Sequence, residues 1–135
     1  MRRMVVFLAV ILTPLTALAG QTVTYDVDGA AYEGYRASPP GASKGLVLVI
    51  HDWDGLTGYE VKRSEMLAAM GYDAFAIDLY GKGNRPKETG AKKAEMGKLH
   101  KDRAKMRRLI LAGLTEARKG GAGKAVVMGY CFGGS

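Results

Sequence analysis

Hydrophobic and polar positions alternate along the chain in a way that predicts strands and helices in turn. Residues 21–26 and 31–37 are two short runs on either side of Asp28-Gly29, the combination typical of a β-hairpin. Further along, continuous apolar runs predict strands that are buried on both faces of a parallel sheet. These runs are residues 46–50, 73–77 and 125–128.

The segments between the apolar runs predict helices. Thr57 followed three positions later by Glu60 is the signature of a capping box, so we expect a helix over residues 58–70. A second helical region is expected over residues 87–119, where apolar residues recur at spacings of three, four or seven. They are Leu99, Met106, Ile110, Leu114 and Ala117. Strands and helices that alternate in this way indicate an α/β fold with a largely parallel sheet.

Residues 1–19 have the layout of a secretory signal peptide. Arg2 and Arg3 precede an apolar run over residues 4–12, and Ala17-Leu18-Ala19 provides a small-residue cleavage site. The apolar run is shorter than the roughly 20 residues that span a bilayer, which favours cleavage over a retained membrane anchor. We therefore expect a periplasmic or secreted mature domain over residues 20–135, with no stable membrane insertion.

Composition and charge narrow the function only slightly. With 47% hydrophobic and 24% charged residues, the chain is ordinary for one globular domain. The formal net charge of +7 becomes +5 without Arg2 and Arg3, which hints at an anionic small substrate and no more. Basic residues between positions 87 and 119 are interspersed with acidic ones, so a solvated helix face explains them better than nucleic-acid binding.

The residues with the clearest chemistry follow the last predicted strand, in Gly129-Tyr130-Cys131-Phe132-Gly133. Gly-x-Cys-x-Gly after an apolar strand matches the nucleophile elbow, with cysteine in place of the usual serine. The sharp turn strains the backbone at the nucleophile, and a side chain two positions to either side would collide with neighbouring elements. The pattern therefore predicts an exposed catalytic Cys131, and a buried structural cysteine is the alternative.

Two backbone N–H groups are candidates for an oxyanion hole. A helix that begins after Cys131 would direct the N–H of Phe132 at a developing oxyanion and would favour the thiolate. The second donor normally comes from the loop after an earlier strand, and residues 51–55 hold that place in the order of elements. Trp53 N–H is the candidate, although His51 and Asp52 could serve only to close the end of a strand.

Four segments, in this order, resemble the dienelactone hydrolase family. They are Ile50-His51-Asp52-Trp53-Asp54-Gly55, Gly71-Tyr72, Asp78-Leu79-Tyr80-Gly81-Lys82 and Gly129-Tyr130-Cys131-Phe132-Gly133-Gly134. The resemblance extends over nearly all of residues 20–135. It implies an α/β-hydrolase fold with a Cys-His-Asp triad that opens a cyclic enol-lactone ester to a dicarboxylate, as a carboxymethylenebutenolidase does. It implies a small-molecule ester or lactone as substrate, and no metal or organic cofactor.

Carried over by position, the resemblance gives each candidate residue a role. Cys131 would be the nucleophile, Phe132 and Trp53 the oxyanion donors, and Asp52 the carboxylate that helps to deprotonate the thiol. The family usually has glutamate at the Asp52 position, and a side chain one methylene shorter reaches less far towards Cys131. Lys82 matches an arginine that holds the substrate carboxylate, but lysine offers no bidentate grip and is equally consistent with a solvated loop residue.

The acid and the histidine of the triad are expected after the nucleophile in α/β-hydrolases, and only four residues follow Cys131. His51 and His100 both precede it, so neither fits the general base by element order. We therefore expect a partial fold truncated just after the nucleophile strand, with an open apolar sheet edge and no significant hydrolase activity by itself.

Two other functions stay open at this point. A class I glutamine amidotransferase also carries a Gly-x-Cys-x-Gly elbow on an α/β sheet, and a non-enzymatic exported binding module could use the glycine-rich turn only for packing. The natural ester and the oligomeric state are not fixed by the sequence.

Overall fold

The computed structural model describes residues 20–121 and 123–134. In chain order its elements are β1 (Gln21–Val27), β2 (Ala30–Ala37), β3 (Leu46–Ile50), α1 (Gly58–Ala69), β4 (Asp73–Ile77), α2 (Thr89–Lys101), α3 (Arg103–Arg118), β5 (Ala125–Gly129) and a 3₁₀ helix, Cys131–Gly134. The predicted signal peptide, residues 1–19, lies outside the described residues. Within the described ranges, no helix has the length and apolar character needed to cross a bilayer.

The described strands form one mixed sheet in the order β1-β2-β4-β3-β5. β3 is parallel to both of its neighbours, β4 and β5, whereas β1 and β2 form an antiparallel hairpin that joins the sheet through β4. The hairpin turns at Asp28 and Gly29, whose φ angles of 55° and 78° are those of a two-residue type I′ turn. The predicted α/β fold is confirmed, with parallel pairing confined to the three strands that precede the functional loops.

β3 and β4 are buried along their whole length, as their continuous apolar runs predict. Because side chains alternate across a strand, Leu48 and Ile50 face one layer while Val47 and Val49 face the other. The first pair packs in a cluster with residues of α2 and α3, and the second pair packs with residues of α1. Helices therefore cover both faces of these strands and hold the loops that follow them in fixed positions.

β5 departs from the prediction of a strand buried on both faces. Val126 and Val127 are 61% and 59% exposed, because among the described strands β5 pairs with β3 alone and lies at the edge of the sheet. An apolar run by itself does not distinguish a central strand, which has neighbours on both sides, from a strand at the edge of a sheet. The predicted open apolar edge is present, whereas the predicted burial of the strand is wrong.

The helical region predicted over residues 87–119 consists of two helices that meet at Asp102. This residue leaves the helical conformation, with φ −117° and ψ 75°, and its carboxylate accepts a hydrogen bond of 2.8 Å from Lys105 N–H. Asp102 therefore caps α3 at its first turn. The predicted apolar side chains still pack towards the sheet in one cluster: Leu99, Met106, Ile110, Leu114 and Ala117.

The predicted capping box at the start of α1 is present. The Thr57 hydroxyl accepts from Tyr59 N–H at 3.3 Å, and the buried Glu60 carboxylate accepts from Thr57 N–H at 2.8 Å. We expect Thr57→Ala to lower the free energy of unfolding by about 1 kcal/mol, because it leaves an N-terminal donor of the helix unsatisfied. Urea denaturation measures this loss. Thr115→Ala, an exposed change inside α3, serves as the control and should change the stability by less than about 0.5 kcal/mol.

Candidate active site

Cys131 lies in the turn between β5 and the 3₁₀ helix. Its thiol is exposed and its φ is 50°, so the residue is held in the left-handed region that non-glycine residues rarely adopt. Among the described residues only Asp28, in the hairpin turn, shares this property. A strained backbone that presents an exposed thiol is the conformation predicted for the elbow, and the buried-cysteine alternative is wrong.

The glycines on either side of Cys131 are required by close backbone contacts. A Cβ on Gly133 would lie 2.6 Å from the carbonyl oxygens of both Ile50 and His51, and a Cβ on Gly129 would overlap the Gly133 carbonyl. Real Cβ atoms do not approach backbone oxygens this closely, so a side chain at either position would displace the turn. The elbow thus sits directly against the end of β3.

Within the described residues, a 3₁₀ helix of four residues, Cys131–Gly134, follows β5 and contains a 2.8 Å hydrogen bond from Gly133 N–H to the Tyr130 carbonyl. The support of a helix dipole for a thiolate at Cys131 stays a prediction.

His51 is fully buried at the start of the loop that follows β3. Its Nε2 accepts a hydrogen bond of 3.1 Å from Leu79 N–H, and its Nδ1 lies 2.6 Å from the Asp52 carbonyl oxygen. Since Nε2 accepts, Nδ1 carries the proton and donates to Asp52. Burial lowers the pKa of His51, which favours this neutral form. With both ring nitrogens occupied, His51 is unsuited to act as general base, in agreement with its position in the sequence.

The loop from Asp52 to Asp54, which we call the Trp53 loop, is held by its own side chains and by Tyr80. The Asp52 carboxylate accepts from Asp54 N–H at 2.8 Å, and the Trp53 carbonyl accepts from the Tyr80 hydroxyl at 3.2 Å. Within residues 20–121 and 123–134, the Trp53 N–H donates to no protein acceptor. The candidate oxyanion donor is therefore available in a loop that is otherwise well bonded.

Lys92, in the first half of α2, contacts the same loop and was missed by the sequence analysis. Its ammonium pairs with Asp54 at 2.6 Å and lies 5.6 Å from the centre of the Trp53 ring. The interspersed charges of the region predicted only a solvated helix face. A loop contact of this kind depends on how α2 packs, and local spacing does not reveal it.

An aromatic cluster joins this loop to the elbow. The buried Phe132 ring lies 6.1 Å from the rings of both His51 and Tyr80, and these two rings meet edge to face at 4.7 Å. The ring of His100, an exposed residue of α2, lies 5.3 Å from the Phe132 ring. Burial, and then the nearby carboxylates of Glu95, Asp52 and Asp54, raise the pKa of Tyr80, so its hydroxyl remains a donor. The structure thus brings the elbow and the Trp53 loop together, as predicted.

Asp52 and Lys82 are placed with other partners. Among the described residues, the Asp52 carboxylate makes no hydrogen bond to the Cys131 thiol, in line with its shorter reach than glutamate. The Lys82 ammonium pairs with Glu33 at 3.4 Å and donates to the Thr24 hydroxyl at 3.2 Å. Thr24 belongs to β1, at the opposite side of the described sheet from β5. The structure does not bring Lys82 to Cys131, and the proposed roles of Asp52 and Lys82 stay predictions.

Asp78 fixes the loop that follows β4, a function that the sequence analysis did not assign. Its fully buried carboxylate accepts from the backbone N–H groups of Glu33, Tyr80 and Gly81 at 3.0 to 3.1 Å. The Arg85 guanidinium lies 3.4 Å away. This network positions Tyr80, which in turn contacts the Trp53 loop.

A groove of about 380 Å³ opens beside the elbow, between α3 and the end of β5. Apolar side chains of Ile50, Leu79, Met106 and Ile110 line it, together with Phe132 and the backbone of the 3₁₀ helix. Cys131 is not among the residues that line the groove.

The α/β-hydrolase class of enzymes has a sheet with helices on both faces and a nucleophile elbow directly after a parallel strand. Both features are present in the described residues, and the loop that holds the candidate donor Trp53 follows the neighbouring strand β3. The chain belongs to the dienelactone hydrolase family, because the model of that family matches residues 32–135. The match confirms the resemblance seen in the four sequence segments. The family is one of hydrolases, so the chain is of hydrolase type.

The chain is also similar to individual proteins and solved structures. Protein usf from Aquifex pyrophilus is 32% identical over 122 residues, which are 86% of this chain and 52% of that protein. The solved structure m3DLH is 27% identical with a TM-score of 0.76, over 87% of this chain and 51% of that one. A dienelactone hydrolase-like promiscuous phosphotriesterase from metagenomic libraries shares the fold, at 24% identity and a TM-score of 0.76, over 85% of this chain and 50% of that one. The chain thus spans about half the length of these relatives.

Proposed function

We propose that this chain supplies the nucleophile and the oxyanion hole of an ester or lactone hydrolase, with Cys131 as the nucleophile. The observation that supports the proposal is the elbow itself: an exposed thiol at a residue with φ 50°, between two glycines that contact backbone atoms. A lone cysteine held in a strained turn at a sheet end is the arrangement that nucleophilic catalysis uses.

In the proposed first step, the Cys131 thiolate attacks the carbonyl carbon of the ester and its lone pair forms the S–C bond. The carbonyl π electrons move to oxygen, and the N–H groups of Phe132 and Trp53 stabilise the resulting oxyanion. Collapse of this intermediate breaks the C–O bond, and the leaving alkoxide or phenolate departs with that electron pair. Cys131 is left as a thioester, which water must hydrolyse to complete a turnover.

Hydrolysis of the thioester calls for a general base, and His51 is committed to structural hydrogen bonds. We expect the base and its acid partner to correspond to the half of the relatives that this chain does not span. We further propose that Asp52 assists deprotonation of the thiol and that Lys82 attracts an anionic substrate. For these roles the Asp52 carboxylate would have to give up its hydrogen bond from Asp54 N–H, and the Lys82 ammonium would have to give up its ion pair with Glu33.

Residues 1–19 support a further proposal, that the mature protein is periplasmic or secreted. The assignment to the dienelactone hydrolase family favours the ester hydrolase over the class I amidotransferase, which shares the elbow but not the Asp-Leu-Tyr-Gly segment. The non-enzymatic binding module remains as the alternative that the following experiment separates.

The test is acylation of Cys131 by p-nitrophenyl acetate. We expect a burst of p-nitrophenolate of about one equivalent per chain, without turnover, and mass spectrometry should find the acetyl group on Cys131. Cys131→Ala should abolish the burst. Alkylation by iodoacetamide serves as the control for access to the thiol. The binding module would be favoured if Cys131 reacts with iodoacetamide at the rate of free cysteine and is also acylated no faster than free cysteine.

A further inference from the structure

We propose that His51 is a positioning residue that aims the Trp53 N–H at the oxyanion, and this inference rests on the proposed function. Sequence order assigns no catalytic part to His51, and its two hydrogen bonds exclude it as a base. The same two bonds give it another task, because one of them holds the peptide that carries the candidate donor.

The Asp52 carbonyl and the Trp53 N–H belong to the same planar peptide. The peptide is trans, so its oxygen and its hydrogen point in opposite directions. His51 Nδ1 lies 2.6 Å from the Asp52 oxygen, and a donor at that place fixes the orientation of the whole plane. The imidazole therefore makes the shorter of the two hydrogen bonds that hold the Trp53 N–H in direction from the opposite side of its peptide; the other comes from Gly55 N–H at 3.4 Å.

The imidazole is itself rigidly held. His51 is fully buried, its Nε2 is bonded to Leu79 N–H at 3.1 Å, and the Tyr80 ring packs edge to face against it at 4.7 Å. Leu79 comes two positions after the end of the buried strand β4 and next to Asp78, whose carboxylate accepts hydrogen bonds from the following loop. His51 thus links the segment after β4 to the peptide between Asp52 and Trp53 through two hydrogen bonds.

The bonding of the rest of the loop points to the same role. The next peptide, between Trp53 and Asp54, is bonded at both ends: its oxygen accepts from Tyr80 and its N–H donates to Asp52. In the peptide between Asp52 and Trp53, the oxygen accepts from His51 Nδ1 at 2.6 Å and from Gly55 N–H at 3.4 Å, while the N–H has no acceptor among the described residues. A carbonyl that accepts a hydrogen bond also polarises its own peptide, which makes the free N–H a stronger donor.

Two variants separate this role from simple packing. In His51→Asn the side-chain amide nitrogen takes the place of Nδ1 and can still donate to the Asp52 carbonyl. In His51→Gln the amide oxygen reaches the place of Nε2 and can accept from Leu79 N–H, but the Asp52 carbonyl loses its short bond to Nδ1 and keeps only the 3.4 Å bond from Gly55 N–H. Each variant therefore keeps one of the two hydrogen bonds, and only His51→Asn keeps the bond that aims Trp53.

The measured quantity is the rate of Cys131 acylation by p-nitrophenyl acetate divided by its rate of alkylation by iodoacetamide. Alkylation displaces iodide from a methylene carbon and builds no oxyanion, so the ratio isolates the oxyanion hole from the reactivity of the thiol. We expect the ratio to fall tenfold or more in His51→Gln, since loss of one oxyanion donor costs on the order of 10² to 10³ in rate. In His51→Asn it should stay within about threefold of the wild type, on the same scale.

Equal losses of both rates in His51→Gln, with the ratio unchanged, would show that His51 only supports the fold and would overturn the inference. A tenfold fall of the ratio in His51→Asn would also overturn it, and this variant decides alone should His51→Gln not fold. Circular dichroism of each variant identifies that case. If Cys131 of the wild-type chain is not acylated at all, the proposed function itself is wrong, and the role of His51 is wrong with it.

Discussion

Acylation of Cys131 by p-nitrophenyl acetate should slow by about two orders of magnitude when Gly133 is replaced by alanine. The new Cβ would lie 2.6 Å from the carbonyl oxygens of Ile50 and His51. β3 cannot retreat, because it is paired with β4 on one side and with β5 on the other. The 3₁₀ helix must therefore move away from the strand, and it carries Cys131 and Phe132 out of line with the Trp53 loop.

The same substitution should also lower the free energy of unfolding. Forcing an extra methyl group into a tight contact costs about 1 to 3 kcal/mol, which urea denaturation would measure. Gly134→Ala is the matched control, since its Cβ would meet its nearest atom, the Gly129 oxygen, at an ordinary 3.5 Å. We expect this variant to be acylated at close to the wild-type rate. If Gly133→Ala reacts as fast as Gly134→Ala, the contact with β3 does not position the nucleophile.

Elements with short-range causes were predicted well from the sequence. The hairpin at Asp28-Gly29 and the capping box at Thr57 each depend on residues within a few positions, and both are present. The elbow is only partly of this kind. Gly129 and the positive φ of Cys131 depend on the turn itself, whereas Gly133 is required by its contact with the end of β3, about 80 positions earlier in the chain.

Features that depend on distant parts of the chain were not predicted. The exposure of Val126 and Val127 depends on whether another strand lies beside β5, and an apolar run carries no information about that. Lys82 was assigned to the substrate by position, yet its ammonium pairs with Glu33, a residue of the hairpin. The break at Asp102 is a milder case, because an aspartate within a charged helical region has the composition of an exposed residue as well as that of a cap.

The candidate site shows the same division. Cys131, Phe132 and Trp53 were found by motif order, and the structure places the elbow and the loop of Trp53 in contact through the aromatic cluster. The side chains that hold this arrangement, His51 and Tyr80, lie in the quoted segments but gave no signal of their role. Their hydrogen bonds span 28 and 27 positions of the chain, so only the folded geometry reveals them.

Asp78→Ala is expected to cause the largest loss of stability, about 3 to 5 kcal/mol. The fully buried carboxylate accepts three backbone hydrogen bonds, from Glu33, Tyr80 and Gly81, and pairs with Arg85. Alanine would leave these donors and a partly buried guanidinium without their acceptor, and each unsatisfied buried group costs about 1 to 3 kcal/mol. Because a domain of this size is stable by roughly 5 to 15 kcal/mol, urea denaturation should show a strongly lowered midpoint or no cooperative transition.

The matched control for this change is Asp26→Ala. Asp26 also accepts a backbone hydrogen bond, from Gly29 N–H at 2.9 Å, but it is exposed, and water can take its place. We expect a loss below about 1 kcal/mol. Because Asp78 also fixes the loop that carries Tyr80, any folded Asp78→Ala protein should acylate Cys131 more slowly, while Asp26→Ala should not. Similar losses of stability in the two variants would mean that the buried carboxylate does not organise the loop beside the thiol.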